Sequence, residues 1–269
     1  KINGEELKNI DLYILANSES TNMAEKLKGK DLRTITRADL QGVTFDNPFG
    51  ITAEGKSQTT VVPTGKGLPI SRAITNIAIA DHVADTEAGA KGKGISIPLV
   101  RAVSKLHFYF ARKANANTEN VKVTRIEIDG ETFPTASYIF PDEEEYTKAD
   151  ANKAATSNKY GTPSYVTTPL KLDGVGSTEI KEVEDPLTYK QGPGETAQTY
   201  MDRMNNEIGG HNLSYLRETN KPIKGKIYYQ LAEGGSEKHQ EFKIPSSGNA
   251  IRNRELVVYG YFLQGGALC

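Results

Sequence analysis

One segment of the chain matches a motif that binds phosphate groups. Residues 50–57, GITAEGKS, fit the P-loop pattern G-x-x-x-x-G-K-S, in which backbone N–H groups and the lysine hold nucleotide phosphates. That loop works only between a buried strand and the N-terminus of a helix. Here residues 46–49 (DNPF) form a turn, and the β-branched residues and proline of 58–63 (QTTVVP) disfavour a helix. The sequence therefore predicts a chance match and no nucleotide site.

Metal-binding and nucleophilic motifs are also missing from the sequence. The histidines His82, His107, His211 and His239 form no HExxH or H-x3-H pair, and no serine lies in a G-x-S-x-G turn. The single cysteine, Cys269, can form neither an intramolecular disulfide nor a paired metal site. We predict that His107 is a partly buried, hydrogen-bonded strand residue and that His211 lies in a loop. No catalytic residue, metal ligand or cofactor is predicted.

A glycoside hydrolase needs only two carboxylates that lie close in space, so sequence spacing leaves a secreted hydrolase open as an alternative. The chain has no tryptophan to form a sugar-binding platform, and its 13 tyrosines are explained more simply as strand and core residues. The acidic run at residues 142–145 (DEEE) shows no ligand spacing and is predicted to be a solvated loop. These features favour a protein that is not an enzyme.

The overall charge excludes several classes of partner. The formal net charge is −1, with basic residues scattered among acidic ones, so no global field would attract nucleic acid or an anionic membrane. No stretch approaches 18 apolar residues, and none is predicted to span a bilayer. The chain opens at Lys1 without an apolar signal core, so we expect that a targeting segment was removed or that the sequence starts after it.

The elements that must position any site are mostly strands. Alternating and β-branched runs separated by Gly, Pro, Asn and Ser predict many short strands, with a few short helices. Thr36, with Asp39 three residues on, predicts a capped helix start. The predicted strands are 10–15, 59–62, 74–80, 95–110 with an irregularity at Pro98, 121–128, 224–231, 240–244 and 256–263, and the predicted helices are 23–27, 36–40 and 199–208.

The spacing of these strands predicts an all-β fold built from β-sandwiches. The composition turns polar over residues 141–159, which makes that stretch the best linker candidate. We therefore predict an N-terminal β-sandwich domain over residues 1–140 and a C-terminal one over residues 141–269.

Four segments, in this order, carry a resemblance to a known family. They are 12–17 (LYILAN), 97–106 (IPLVRAVSKL), 215–220 (YLRETN) and 251–258 (IRNRELVV). Together they resemble the Bacteroidetes-type fimbrillins, which are shaft subunits and tip or anchor proteins of cell-surface fimbriae. The segments span most of the chain.

The resemblance implies two transthyretin-like, Greek-key β-sandwich domains and a structural or accessory role in a fimbrium. It also implies a lipoprotein precursor exported to the outer membrane and cell surface, trimmed near its N-terminus, whose open groove is filled by a strand of the next subunit. The implied partners are other fimbrial subunits, with membrane contact only through a removed N-terminal lipid anchor. A monomeric surface adhesin that binds host protein or glycan stays open as an alternative.

Strand donation has a physical basis that does not depend on the family. An incomplete sandwich exposes unpaired backbone groups and an apolar slot, and an added strand satisfies both. Burying several hundred Å² of apolar surface would contribute roughly 10 kcal/mol before ordering costs, at about 25 cal/mol per Å². We predict that the late strand Leu256–Leu263 and whatever follows Cys269 lie at the donor end, with Leu256, Val258, Tyr259, Tyr261 and Leu263 as assembly residues.

Overall fold

The computed structural model describes residues 9–45, 67–78, 97–114, 118–140, 164–184, 191–208, 211–244 and 252–269. The P-loop match at 50–57, the predicted strand at 59–62, the acidic run, the linker at 141–159 and His82 lie outside these residues.

Strands make up most of the regular secondary structure among the described residues, which confirms the all-β prediction. The strands are β1 (Asn9–Ala16), β2 (Thr44–Phe45), β3 (Ile70–Ala78), β4 (Val100–Arg101), β5 (Ser104–Arg112), β6 (Lys122–Ile128), β7 (Ser137–Tyr138), β8 (Leu170–Val175), β9 (His211–Leu216), β10 (Ile223–Gln230), β11 (Lys238–Ile244) and β12 (Glu255–Phe262). The α-helices are α1 (Met23–Lys26), α2 (Arg37–Gln41) and α3 (Ala197–Glu207), and short 3-10 turns occupy Ser18–Ser20 and Leu32–Thr34.

The strands form four sheets. Two of them are formed by strands that precede residue 140, with the orders β1-β3-β4 and β2-β7, and we call them the N-terminal sheets. The other two, with the orders β11-β10-β6-β8 and β12-β5-β9, stack face to face. Among the described strands, β12 and β5 are the one parallel pair, and every other pair of strands is antiparallel.

The two stacked sheets form a sandwich, and β5 is the central strand of its three-stranded sheet. Its alternate residues Leu106, Phe108 and Phe110 are fully buried between the two sheets. The opposite side of the strand, at Tyr109, is covered by Met204 of α3. Both faces of β5 are therefore buried.

The N-terminal sheets have a separate small core. It contains Val43 and Phe45 around β2 and Phe140 after β7, with Tyr13 of β1 packed edge-on against Phe140 at a centroid distance of 5.2 Å. Helix α2 borders this core and begins with a reciprocal capping box between Thr36 and Asp39, as predicted.

Several sequence predictions need correction. His211 is the first residue of β9, not a loop residue, and β8 was not predicted at all. The strand predicted over 95–110 divides into β4 and β5. The division into domains at residues 140 and 141 stays a prediction, and β5 and β6 hydrogen-bond to strands from the later part of the chain.

Candidate assembly edge

The residues predicted for assembly all lie on or next to β12, but they face different ways. Leu256 and Val258 are half-buried against the sandwich core, whereas Tyr261 is buried beneath α3. Tyr259 and Leu263 are each 41% exposed. The structure therefore brings these side chains to one edge of the sandwich and divides them between the two faces of its sheet.

β12 is an edge strand of its sheet. It pairs with β5 along its full length, from Glu255 opposite Lys105 to Phe262 opposite Arg112. Within the described part of the chain, no strand pairs with its second edge between Glu255 and Gly260.

The last residues of the chain occupy the far end of that second edge. After a turn at Leu263–Gly266, in which Gly266 has a φ of +78°, residues Ala267–Cys269 run antiparallel to the end of β12. Tyr261 and Cys269 exchange backbone hydrogen bonds of 2.9 and 3.0 Å, and the Leu263 N–H donates to Ala267 at 2.8 Å. The Leu-Gln-Gly-Gly sequence is a hairpin signal that the sequence reasoning missed.

The direction of the hydrogen bonds shows which backbone groups remain on the open part of the edge. The N–H and C=O of Tyr261 point toward Cys269, and these directions alternate along a strand. The N–H and C=O groups of Glu255, Val257 and Tyr259 therefore also point away from β5, toward the open edge of the sheet. Among the described residues, these groups have no partner there.

The sandwich is closed on one side and more exposed on the other. On the side of β8 and β9, Leu172, Val175 and Leu216 are almost completely buried. On the side of β11 and β12, the apolar residues that line the core are only half-buried. They are Leu231, Phe242, Ile244, Leu256 and Val258, and we call the space that they border the slot.

The two strands that border the slot differ in character. β11 has the sequence KHQEFKI, and its charged residues lie exposed along an outer edge. Charged residues on an edge strand oppose pairing with another chain. β12 has the sequence ELVVYGYF, with one charged residue at its start. Of these two strands, β12 is therefore the one that combines an apolar sequence with an edge that lacks a described partner over most of its length.

An aromatic cluster covers the outer face of β12. Tyr259 stacks on Tyr109 with ring centroids 5.8 Å apart, and its hydroxyl hydrogen-bonds that of Tyr200 in α3. Burial is the main cause that raises the pKa of Tyr259 above its usual value. Tyr109 in turn donates to the Asn205 side chain at 3.0 Å. This cluster holds α3 against the sheet and gives β12 a fixed outer face.

A buried histidine lies at the start of the same strand pair. His107 is 3% exposed, and its Nδ1 lies 3.1 Å from a carboxylate oxygen of Glu255, which Lys105 also approaches at 3.3 Å. Burial alone would raise the pKa of Glu255, but the hydrogen bonds from His107 and Lys105 outweigh it and lower the pKa. This confirms the prediction of a hydrogen-bonded strand histidine and accounts for it as a packing residue.

Three of the four segments that carry the resemblance meet at one junction, which is built around a buried ion pair. Arg252 and Glu218 form an ion pair at 2.6 Å in which both side chains are at most 4% exposed. The next residue, Asn253, adopts a φ of +60°, and its N–H donates to Val103 at 2.7 Å. Arg101 donates to the Asn253 side chain at 3.3 Å. The junction therefore fixes the turn from which β12 starts.

The side chains of the described residues give no candidate for a metal site. No group of three or more His, Cys, Asp or Glu side chains that could hold a metal ion occurs among them. In the same ranges, no helix is long and apolar enough to cross a membrane.

Comparisons by sequence and by structure gave different results. Neither the protein-family models nor the curated proteins show a match to the chain. Among solved structures, the chain is similar to the tip fimbrial protein Mfa3 from Porphyromonas gingivalis with a C-terminal truncation. The TM-score is 0.48 at 13% identity, covering 93% of this chain and 75% of that chain.

Two further similar structures are described as candidate cell adhesion proteins. For the one from Bacteroides eggerthii the TM-score is 0.46 at 13% identity, covering 94% of this chain and 68% of that chain. For the one from Parabacteroides distasonis the values are 0.38 and 14%, with coverage of 97% and 80%. The similar structures are thus adhesion and fimbrial proteins, at a similarity too low to carry an argument about function.

Proposed function

We propose that the chain is a non-enzymatic structural or accessory subunit of a cell-surface fimbria, in a shaft, tip or anchor position. It assembles with other fimbrial subunits by strand addition. In this proposal the protein is exported to the outer membrane surface as a lipoprotein precursor and contacts the membrane only through a removed N-terminal lipid anchor.

The open edge of β12 is the observation that carries this proposal. It combines outward-pointing backbone groups at Glu255, Val257 and Tyr259 with the half-buried side chains of Leu256 and Val258. An added strand would satisfy the backbone groups and cover the apolar side chains in one step. Each large apolar side chain that the strand buries contributes about 1.5–3 kcal/mol.

The same geometry favours β12 as the accepting strand over β12 as the donated strand. A donated β12 would have to leave its parallel pairing with β5 and withdraw Phe262, which is fully buried in the sandwich core. Accepting a strand requires neither change. The head-to-tail contact that results does not close on itself, so it can extend into a filament.

A proline at position 257 tests strand addition. The N–H of Val257 points away from β5, so Val257→Pro removes a donor from the open edge without removing a hydrogen bond to β5. Val257→Ala is the matched control, because it shortens the same side chain and keeps the N–H. We expect the proline variant to be depleted from filaments sheared off the producing cells, and the alanine variant to be present.

This experiment tests separately whether the chain is a fimbrial subunit and whether it accepts a strand at β12. If the unchanged chain is missing from the sheared filaments in immunoblots and in immunogold electron microscopy, it is not a fimbrial subunit. If it is present and the two variants are incorporated equally, the chain is a subunit that does not accept a strand at β12.

A further inference from the structure

A small apolar pocket lies at one end of the sandwich, beside the loops that follow β6 and precede β8. Phe133, Leu170 and Leu216 line its base, and all three belong to the sandwich core. The empty space in the pocket, with its open mouth included, is about 350 Å³. Sites for whole small molecules span about 300–1,000 Å³, and part of this volume is mouth, so the pocket suits a single large side chain.

Backbone contacts hold the walls of the pocket in place. The N–H of Val166 donates to Phe133 at 2.9 Å, and its carbonyl accepts from the N–H of Glu131 at 2.5 Å. Gly130 packs so closely against the facing loop that a Cβ there would lie 2.2 Å from the backbone oxygen of Thr167. The pocket is therefore formed before anything binds, and an entering side chain does not have to order it.

The rim of the pocket carries a negative charge. Asp129 lines the pocket and is exposed, and its carboxylate has no hydrogen-bond or ion-pair partner among the described residues. Arg217 also lines the pocket, but it is 5% exposed and donates to the backbone oxygen of Pro134 at 3.3 Å. An apolar base beside a solvated carboxylate favours a partner that offers an apolar side chain next to a cation.

The chain itself carries such a pair of side chains in the 3-10 turn Leu32–Thr34, and we call residues 31–34 the knuckle. Leu32 is 85% exposed, whereas the other exposed large hydrophobic residues in the described ranges are 41% exposed. The side chain of Arg33 is 92% exposed, and its ion pair with Asp31 is long, at 3.9 Å. The knuckle therefore presents an apolar side chain beside a cation that is available to a partner.

The backbone of the knuckle is also fixed. The Asp31 side chain accepts the N–H of Arg33 at 2.9 Å, and the Asp31 carbonyl accepts both the N–H and the hydroxyl of Thr34 at 2.8 Å. Lys30, just before the turn, forms an ion pair with Asp39 of α2. Docking of the knuckle would therefore order side chains without reordering the backbone.

We propose that the pocket of one copy of the chain receives the knuckle of a second copy. Leu32 enters the apolar base of the pocket, and Arg33 pairs with Asp129 at the rim. Because the pocket and the knuckle are different surfaces, the contact is head-to-tail. One side chain and one exposed ion pair make a small contact, so it is weak between free molecules and acts where copies are already concentrated. It involves neither β12 nor an added strand.

Two variants that can each make only one half of the contact test this proposal. A ¹⁵N-labelled chain with Leu32→Asp keeps the pocket, and an unlabelled chain with Asp129→Arg keeps the knuckle. Both substitutions are at exposed residues, and the amide spectrum of each variant checks that it is folded. We expect the unlabelled chain to shift the amides of Val166, Thr168 and Leu216 saturably, with a Kd of about 1 mM or below.

Further variants identify the two side chains that bind. Adding Leu32→Ala to the unlabelled chain should weaken binding at least about tenfold. Adding Arg33→Asp should weaken it at least about threefold, because the new charge opposes Asp129. An unlabelled chain with Arg33→Asp alone should bind again when the labelled chain also carries Asp129→Arg, because the two charges are then exchanged. Lys28→Ala, at an exposed residue outside the knuckle, is the control and should leave binding unchanged.

Three outcomes would overturn the proposal. If the pocket amides do not shift at concentrations up to about 1 mM, the pocket does not receive the knuckle. If Leu32→Ala leaves the shifts unchanged, another surface causes them. If exchanged charges do not restore binding, Arg33 and Asp129 do not meet. None of these results depends on whether the chain is found in filaments, so they are separate from the test of the proposed function.

Discussion

Replacing Glu218 with alanine would leave a buried arginine without its carboxylate. Glu218 accepts hydrogen bonds from the Nε and the backbone N–H of Arg252, at 2.6 and 2.8 Å. Arg252 also donates to the backbone oxygens of Tyr138 at 2.7 Å and Ile139 at 3.3 Å. The ion pair therefore links the residues after β9, the start of β12 and the N-terminal core.

The expected loss of stability in Glu218→Ala follows from the burial of the Glu218 and Arg252 side chains. Their side chains are 1% and 4% exposed, and removing one partner of such a pair costs about 3–5 kcal/mol because the other charge stays buried. At about 2–4 °C per kcal/mol for a protein of comparable size, Tm should fall by roughly 6–20 °C. The two carbonyl acceptors that Arg252 keeps favour the lower end of this range.

The assay is urea unfolding followed by tyrosine fluorescence, since the chain has 13 tyrosines and no tryptophan. Glu218→Gln is the matched control, because it keeps the shape and an acceptor oxygen and should cost less than Glu218→Ala. The double variant Glu218→Leu with Arg252→Met should recover much of the loss, because no charge is then left buried. A loss below about 1 kcal/mol for Glu218→Ala would refute the reasoning, as would a double variant no more stable than Glu218→Ala.

Three further predictions concern other parts of the fold. Gly260→Ala would place a Cβ 2.6 Å from the ring of Phe110, so we expect a loss of about 1–3 kcal/mol in urea unfolding, and an unchanged midpoint would contradict the tight packing. Met204→Ala should lower the free energy of unfolding by about 2–5 kcal/mol, because Met204 on α3 is fully buried against the sheet. A loss below about 0.5 kcal/mol, as at a surface position, would mean that α3 is not docked. Arg203 holds the pKa of Glu195 down to about 2. This stabilisation is present above the usual value of 4.5 and is lost as pH falls toward about 2. Glu195→Gln should therefore lose less stability than the unchanged chain over that window, and parallel acid-unfolding curves would count against the ion pair.

Much of the secondary structure follows from local patterns. Alternation predicted β1, β6, β10, β11 and β12 to within one or two residues, and the Thr36 capping box marked the start of α2. The helical spacing of Tyr200, Met204 and Ile208 predicted α3. These signals are readable because side-chain period and helix capping depend only on residues close in the chain. Short or Gly-containing strands such as β8 (LKLDGV) lack such a pattern and were missed.

The candidate site was only partly predictable for the same reason. The sequence placed Leu256–Leu263 in a strand and named it for assembly, but a period of two does not tell which strand will be its neighbour. The parallel pairing of β12 with β5 joins residues 150 positions apart, as in Glu255 with Lys105. That pairing is what turns β12 into an edge with a free side.

The amino-acid sequence by itself determined that this chain forms β-strands, that it carries no recognisable catalytic motif and that its late strand is apolar. Tertiary structure decided which strands became neighbours, which side of the sandwich stayed half-buried, and that Arg252 and Glu218 meet in the interior. The physical reason is the distance along the chain over which each effect acts. Periodicity, capping and turn propensity act over a few residues, whereas sheet order and burial depend on how distant segments fill a shared core.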